Sequence, residues 1–92
     1  MAAMVKVPAL LRKVTDGKEL VECEGKTVAD VLESLEAAYP GIRDRLCDGN
    51  GEIRRFINIY VNQEDIRFMD GTGTSVNDGD EILIVPAIAG GR

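Results

Sequence analysis

The chain has 92 residues, 45% of them apolar and 29% charged, with a formal net charge of −5. That length fits one domain with one small core and no large internal pocket. The acidic balance argues against nucleic acid, whose phosphates need clustered Lys and Arg. No apolar run is long enough to span a bilayer and no charged-then-apolar leader opens the chain, so the expected location is the cytoplasm, away from membranes.

The sequence has two Phe, two Tyr and no Trp, which leaves Val, Ile and Leu to build the core. Cys23 and Cys47 are too far apart for a CxxC motif, and with no His a zinc site would need carboxylates to complete it. Both read as small buried hydrophobes. From Glu64 onward six acids (Glu64, Asp65, Asp70, Asp78, Asp80, Glu81) stand against Arg67 and Arg92. They are either a surface that attracts a basic partner or ordinary solubilising charge.

"MVKVPALL" alternates through Val5, Lys6 and Val7 and then meets Pro8, which predicts an opening strand that ends there. "TDGK" turns, and "ELVECEG" alternates again with Val21 and Cys23 on one face, so the two strands form a hairpin. "KTVADVLESLEAAYPG" is the helix. Val28, Val31, Leu32, Leu35 and Tyr39 make one apolar stripe, Thr27 is placed to cap it with Asp30 three residues on, and Pro40–Gly41 stop it. Glu33 and Glu36 fall off the stripe and should face water. "IRDRLCDGNGEIRR" is less regular, with a short helical turn at Ile42 and Leu46 before a Gly-rich loop.

"FINIYVN" then alternates strictly, with Ile57, Ile59 and Val61 on one face and Phe56, Asn58, Tyr60 and Asn62 on the other. "NQED" turns, "IRFM" reads as a short strand, "DGTGTSVNDGD" as loop, and "EILIVPA" as the last strand. One helix cannot cover both faces of such a sheet. The expected fold is therefore α+β, a β-grasp with a mixed four- to five-stranded sheet and one main helix packed on one face. Residues 1–87 make the domain and 88–92 a flexible tail.

The uncovered face carries Phe56 and Tyr60, and "EILIV" is apolar on both sides, Ile82/Ile84 and Leu83/Val85. The candidate docking residues are Phe56, Tyr60, Ile82, Ile84 and Val85. The alternative is that the 63–80 loop covers this face as a minor core.

Four segments, "VKVPALLR", "YPGIRDRL", "RRFINIYVNQEDIRF" and "DGDEILIVPAIAGG", stand in order across nearly the whole chain. Together they resemble the ubiquitin-like sulfur-carrier (MoaD/ThiS) family, within it most closely the branch that serves cysteine biosynthesis. The resemblance implies a carrier and substrate, not an enzyme, with no bound cofactor. The terminal carboxylate of Gly91 is adenylated by an E1-like partner that uses ATP. Sulfur from a donor protein or sulfide then displaces AMP to leave a thiocarboxylate. The sulfur passes to an acceptor enzyme, such as a cysteine synthase. Gly90 and Gly91 suit insertion into a narrow active site, because neither carries a Cβ. The free protein is expected to be a monomer. The same resemblance leaves open the small subunit of molybdopterin synthase and a ubiquitin-like modifier conjugated to lysines.

One residue departs from the family pattern. Arg92 follows Gly91, so the reactive carboxyl is held in a peptide bond. The expectation is a precursor from which a JAMM-type zinc metalloprotease removes Arg92. Arg92 as an appended residue, and a chain that stays outside the thiocarboxylate cycle, are the alternatives.

Overall fold

The computed structural model describes residues 2–50 and 52–86. The predicted tail, with Gly90, Gly91 and Arg92, and the 87/88 boundary lie outside the described residues. Five strands, β1 (Ala2–Lys6), β2 (Leu20–Glu24), β3 (Ile57–Val61), β4 (Glu64–Asp65) and β5 (Glu81–Pro86), form one sheet in the order β2-β1-β5-β3-β4. β5 runs parallel to β1, and every other neighbouring pair is antiparallel. The expected β-grasp is borne out. The last strand in sequence lies between the first and the third, paired with β1 over Glu81–Leu83 and with β3 over Ile82–Pro86.

Helix α1 (Val28–Ala38) lies on one face of the sheet and buries Val28, Val31, Leu32 and Leu35 against it. At roughly 2 kcal/mol for each fully buried branched side chain, this stripe is the main reason an 11-residue segment holds its helix. Thr27 Oγ1 accepts from the Asp30 N–H at 3.2 Å. The Asp30 carboxylate reaches past the cap to accept from the Lys26 N–H, also at 3.2 Å. Gly25 makes the close approach that this turn requires: a Cβ there would stand 2.7 Å from Asp30 Cβ and 2.8 Å from the Val31 nitrogen. Gly41, at φ 101°, lets the chain reverse into α2 (Ile42–Leu46), whose Ile42 and Leu46 are buried as the sequence predicts. Glu36 has more to do than face water, since its carboxylate accepts from the Gly41 and Arg43 N–H groups and closes the start of α2.

Two sequence expectations need correction here. "IRFM" is not a strand. β4 comes earlier, at Glu64–Asp65, and Ile66–Phe68 coil into a 3₁₀ turn whose start is fixed by the Asp65 carboxylate accepting from the Arg67 N–H. The tight reversal at Asn62 and Gln63, both at positive φ, explains the shift: it brings Glu64 straight into pairing with Val61.

The second correction concerns β5. Ile82 and Ile84 are each 1% exposed and lie in the core under α1, so neither can meet a partner. Their register partners decide this: Ile82 pairs with Val5 and Val61, and Ile84 with Ile59, all buried. Residues directly opposite across a sheet share a face. Leu83 and Val85 therefore take the open side.

The 63–80 segment does not cover that side. Val28 N–H donates to the Thr74 carbonyl, Val76 N–H to that of Lys26, and Thr27 bridges Ser75. The segment is thus stitched to the start of α1, and its Ile66 and Val76 join the one core.

Candidate functional site

β5 is the last strand among the described residues, and Pro86, paired with Ile57, is its final residue. Proline has no N–H to give to a ladder. Residues 87–92 follow in the sequence.

The open face beside β5 can be read row by row from the register. The middle row runs Leu20, Lys6, Leu83, Tyr60, Asp65 across all five strands. Toward the start of β5 the next row is Glu22, Met4, Glu81. Toward the tail it is Val85 with Asn58. Leu83, Val85 and Tyr60 are half-buried, and Leu20 is 52% exposed. Phe56 lies in the turn before β3 rather than in the strand, 46% exposed. Of the residues predicted to dock a partner, the structure brings Tyr60 and Val85 onto this face, sets Phe56 at its tail end, and removes Ile82 and Ile84 from it.

Sequence reasoning passed over Arg67, which organises the tail end of the face. Its guanidinium donates to Asn58 Oδ1 and to the carbonyls of Arg55 (3.1 Å), Ile57 (2.7 Å) and Arg54 (3.4 Å). Arg54 in turn donates from Nε and Nη2 to the Asp44 carbonyl, at 3.1 and 2.9 Å.

At the opposite end of β5, Asn62 and Asp80 lock the β3–β4 turn to the turn before β5. Asn62 Nδ2 donates to Asp80 Oδ1 at 2.9 Å, and Glu81 N–H donates to Asn62 Oδ1 at 3.0 Å. The Asn62 side chain and the Asn77 N–H hold the Asp80 carboxyl below its ordinary value.

A depression of about 940 Å³ is at this far end, lined by Glu24, Lys26, Asp30, Glu33 and Asp78 among others. It is shallow and remote from Pro86, and chemistry at the C-terminus has no use for it. Among the described residues no cluster of His, Cys, Asp and Glu could hold a metal ion, and no helix is long and apolar enough to cross a membrane. Cys23 and Cys47 are buried and unbridged, and burial pushes the Cys23 thiol up to about 11.

A helix-backed, five-stranded mixed sheet with this strand order defines a ubiquitin-like β-grasp domain. Residues 5–91 match the ThiS family. The chain is 46% identical over 93 residues to the sulfur carrier protein CysO of Mycobacterium tuberculosis, covering 99% of this chain and 100% of the relative. It is 42% identical over 65 residues to small archaeal modifier protein 3 of Haloferax volcanii, covering 71% of this chain and 70% of the relative. A chain in the crystal structure of the Amycolatopsis orientalis BexX/CysO complex superposes with a TM-score of 0.93 at 43% identity, covering 98% of this chain and 100% of that one. The protein belongs to the ThiS family, and it is a sulfur carrier rather than an enzyme.

Proposed function

We propose that this chain carries sulfur for cysteine synthesis as a thiocarboxylate on Gly91, in the cytoplasm. The observation that carries the reading is the identity of 46% over nearly the whole chain to a sulfur carrier, on a sheet whose central strand β5 ends at Pro86, directly before "AIAGG" in the sequence. The chemistry asks little of the domain itself. A carboxylate is a poor acyl donor, so an E1-like enzyme converts the Gly91 carboxylate to an acyl adenylate and releases pyrophosphate from ATP. Sulfide, or a persulfide followed by reduction, attacks that carbonyl and expels AMP, leaving C(=O)–S⁻. The acceptor enzyme then takes the sulfur. Glycine at 90 and 91 lets the backbone pass through a narrow channel and leaves the carbonyl open to attack.

Gly91 is followed by Arg92, so the Gly91–Arg92 peptide bond must first be hydrolysed, a step suited to a zinc metalloprotease. Tyr60, Leu83, Val85 and Phe56 are the surface on which the activating and acceptor enzymes rest while the tail is engaged. The likeness to an archaeal modifier protein supports a second use of the same activated Gly91, transfer to a lysine amine to form an isopeptide bond.

Intact mass spectrometry tests the reading. Incubation with the protease, the activating enzyme, ATP and a sulfur source should remove one arginine and then replace one oxygen by sulfur. An unchanged mass with enzymes of proven activity refutes it. Transfer to lysine would instead show as conjugates that vanish when Gly90 and Gly91 are deleted.

A further inference from the structure

The charges of this domain are sorted along β5. At its start stand Glu22 and Glu81 in one row, with Glu24, Glu64, Asp78 and Asp80 on the flanking strands and turns. At its end, about 17 Å away for a strand of this length, Arg54, Arg55 and Arg67 gather beside Ile57, the register partner of Pro86. Arg54 and Arg67 are held by neutral carbonyl and amide oxygens. Among the described residues none of the three is paired with a carboxylate, the one ion pair being Arg12 with Glu19. The guanidinium groups of Arg54 and Arg67 are therefore held in place without a carboxylate partner, and Arg55 is exposed beside them, on a protein whose net charge is −5. Asp44, Asp48 and Glu52 lie on the same side of the molecule. The Asp48 carboxylate accepts from the Asn50 and Glu52 N–H groups of its own exposed turn. Phe56 (46% exposed) and Phe68 (89% exposed), each beside an arginine in the chain, add apolar surface to the cluster.

We propose that Arg54, Arg55 and Arg67, with Phe56, form a basic collar at the exit of the tail that docks on an acidic rim around the active-site mouth of the enzyme that activates Gly91. The inference rests on the carrier reading above and adds the chemistry of the partner surface. Charge complementarity singles out the occupant. A tail-first approach brings the positive pole to the mouth and keeps the acidic pole pointing away, so an acidic rim both attracts and orients the domain. Of the acids of the last third, which the sequence leaves as either a surface for a basic partner or solubilising charge, Glu64, Asp78, Asp80 and Glu81 belong to the trailing end of this approach, while Asp65 stands beside Arg67.

The test is stopped-flow association of the chain ending at Gly91 with the activating enzyme of its own organism, at low and high salt. Arg55 is the residue to change, because it is exposed and its side chain makes no hydrogen bond among the described residues. Arg55→Glu should slow association about tenfold at low salt, with the difference shrinking toward unity at 0.5 M salt, where the Debye length has fallen to about 4 Å. Glu22→Lys, at the far pole, should change the rate less than twofold. An Arg55→Glu rate equal to or above that of the parent, with adenylation of the parent intact, overturns this proposal alone. A parent chain that is never adenylated overturns the carrier reading and this proposal with it. A dimer of the parent that Arg55→Glu dissolves, with the association rate unchanged, would assign the collar to a second copy and likewise overturn it.

Discussion

Two adjacent residues on β5 should behave as opposites. Ile84 is 1% exposed under α1, whereas Leu83 is half-buried on the open face. Truncating Ile84 to alanine removes three carbons from a packed site, which costs about 3 kcal/mol including the cavity left behind. A domain of this size is stable by roughly 5–14 kcal/mol, so Ile84→Ala should still fold. With an unfolding entropy near 2 cal/mol/K per residue, its Tm should fall by about 15 °C. Leu83→Ala strips contact only on the side away from the helix and should cost about 1 kcal/mol, or about 5 °C. The order should invert for partner binding. Leu83→Ala should weaken association with the activating enzyme by about tenfold, as expected for an apolar residue at an interface centre. Ile84→Ala should leave that association unchanged below its own Tm. Thermal unfolding followed by circular dichroism gives the first pair of numbers and titration calorimetry the second. Equal Tm losses, or a Leu83→Ala loss greater than that of Ile84→Ala, would refute the assignment of the two faces.

Further expectations concern single groups. Gly25→Ala should cost about 2 kcal/mol, because its Cβ meets the Val31 nitrogen, which cannot move without disturbing the first turn of α1. Urea unfolding measures it, and a loss below 0.5 kcal/mol would show that the turn can relax. The N–H groups of Arg43 and then Gly41 hold the Glu36 carboxyl below its ordinary value of 4.5. With the folded value depressed, the contribution of Glu36 is present above the unfolded value and lost as pH falls through the folded one. Glu36→Gln should therefore flatten the decline of Tm between about pH 5 and pH 3, and an unaltered slope would exclude this role. The Cys23 thiol, raised to about 11 by burial, should resist iodoacetamide at pH 8 in the native protein and react in denaturant. Rapid native labelling would contradict its burial.

The fold was legible because the periodicities were clean. The α1 stripe, the alternation of Val21 with Cys23, and Ile57, Ile59 and Val61 all face the core as their spacing requires. The face of β5 was not legible. Ile82, Leu83, Ile84 and Val85 are all apolar, so alternation carries no sign, and only pairing with Val5 and Ile59 decides which two are buried. "IRFM" has strand-like composition, but the turn at Asn62–Gln63 and the Asp65 side chain bring pairing forward and coil the rest. Such effects depend on tertiary register and on side chains binding nearby backbone, which a local pattern does not contain. The arginine cluster beside Ile57 was not legible either, because Arg54, Arg55 and Arg67 meet only once β3 and the turn after β4 are side by side.

The position of β5 also has a mechanical meaning. A tail that enters another protein's active site is a point at which force is applied, during engagement and again during release. In the proposed cycle that force would enter at Pro86, where β5 is paired with β3, and reach the parallel ladder with β1 from Leu83 inward. The two ladders would share the load over Ile82 and Leu83, whereas an edge strand such as β4 has one ladder only.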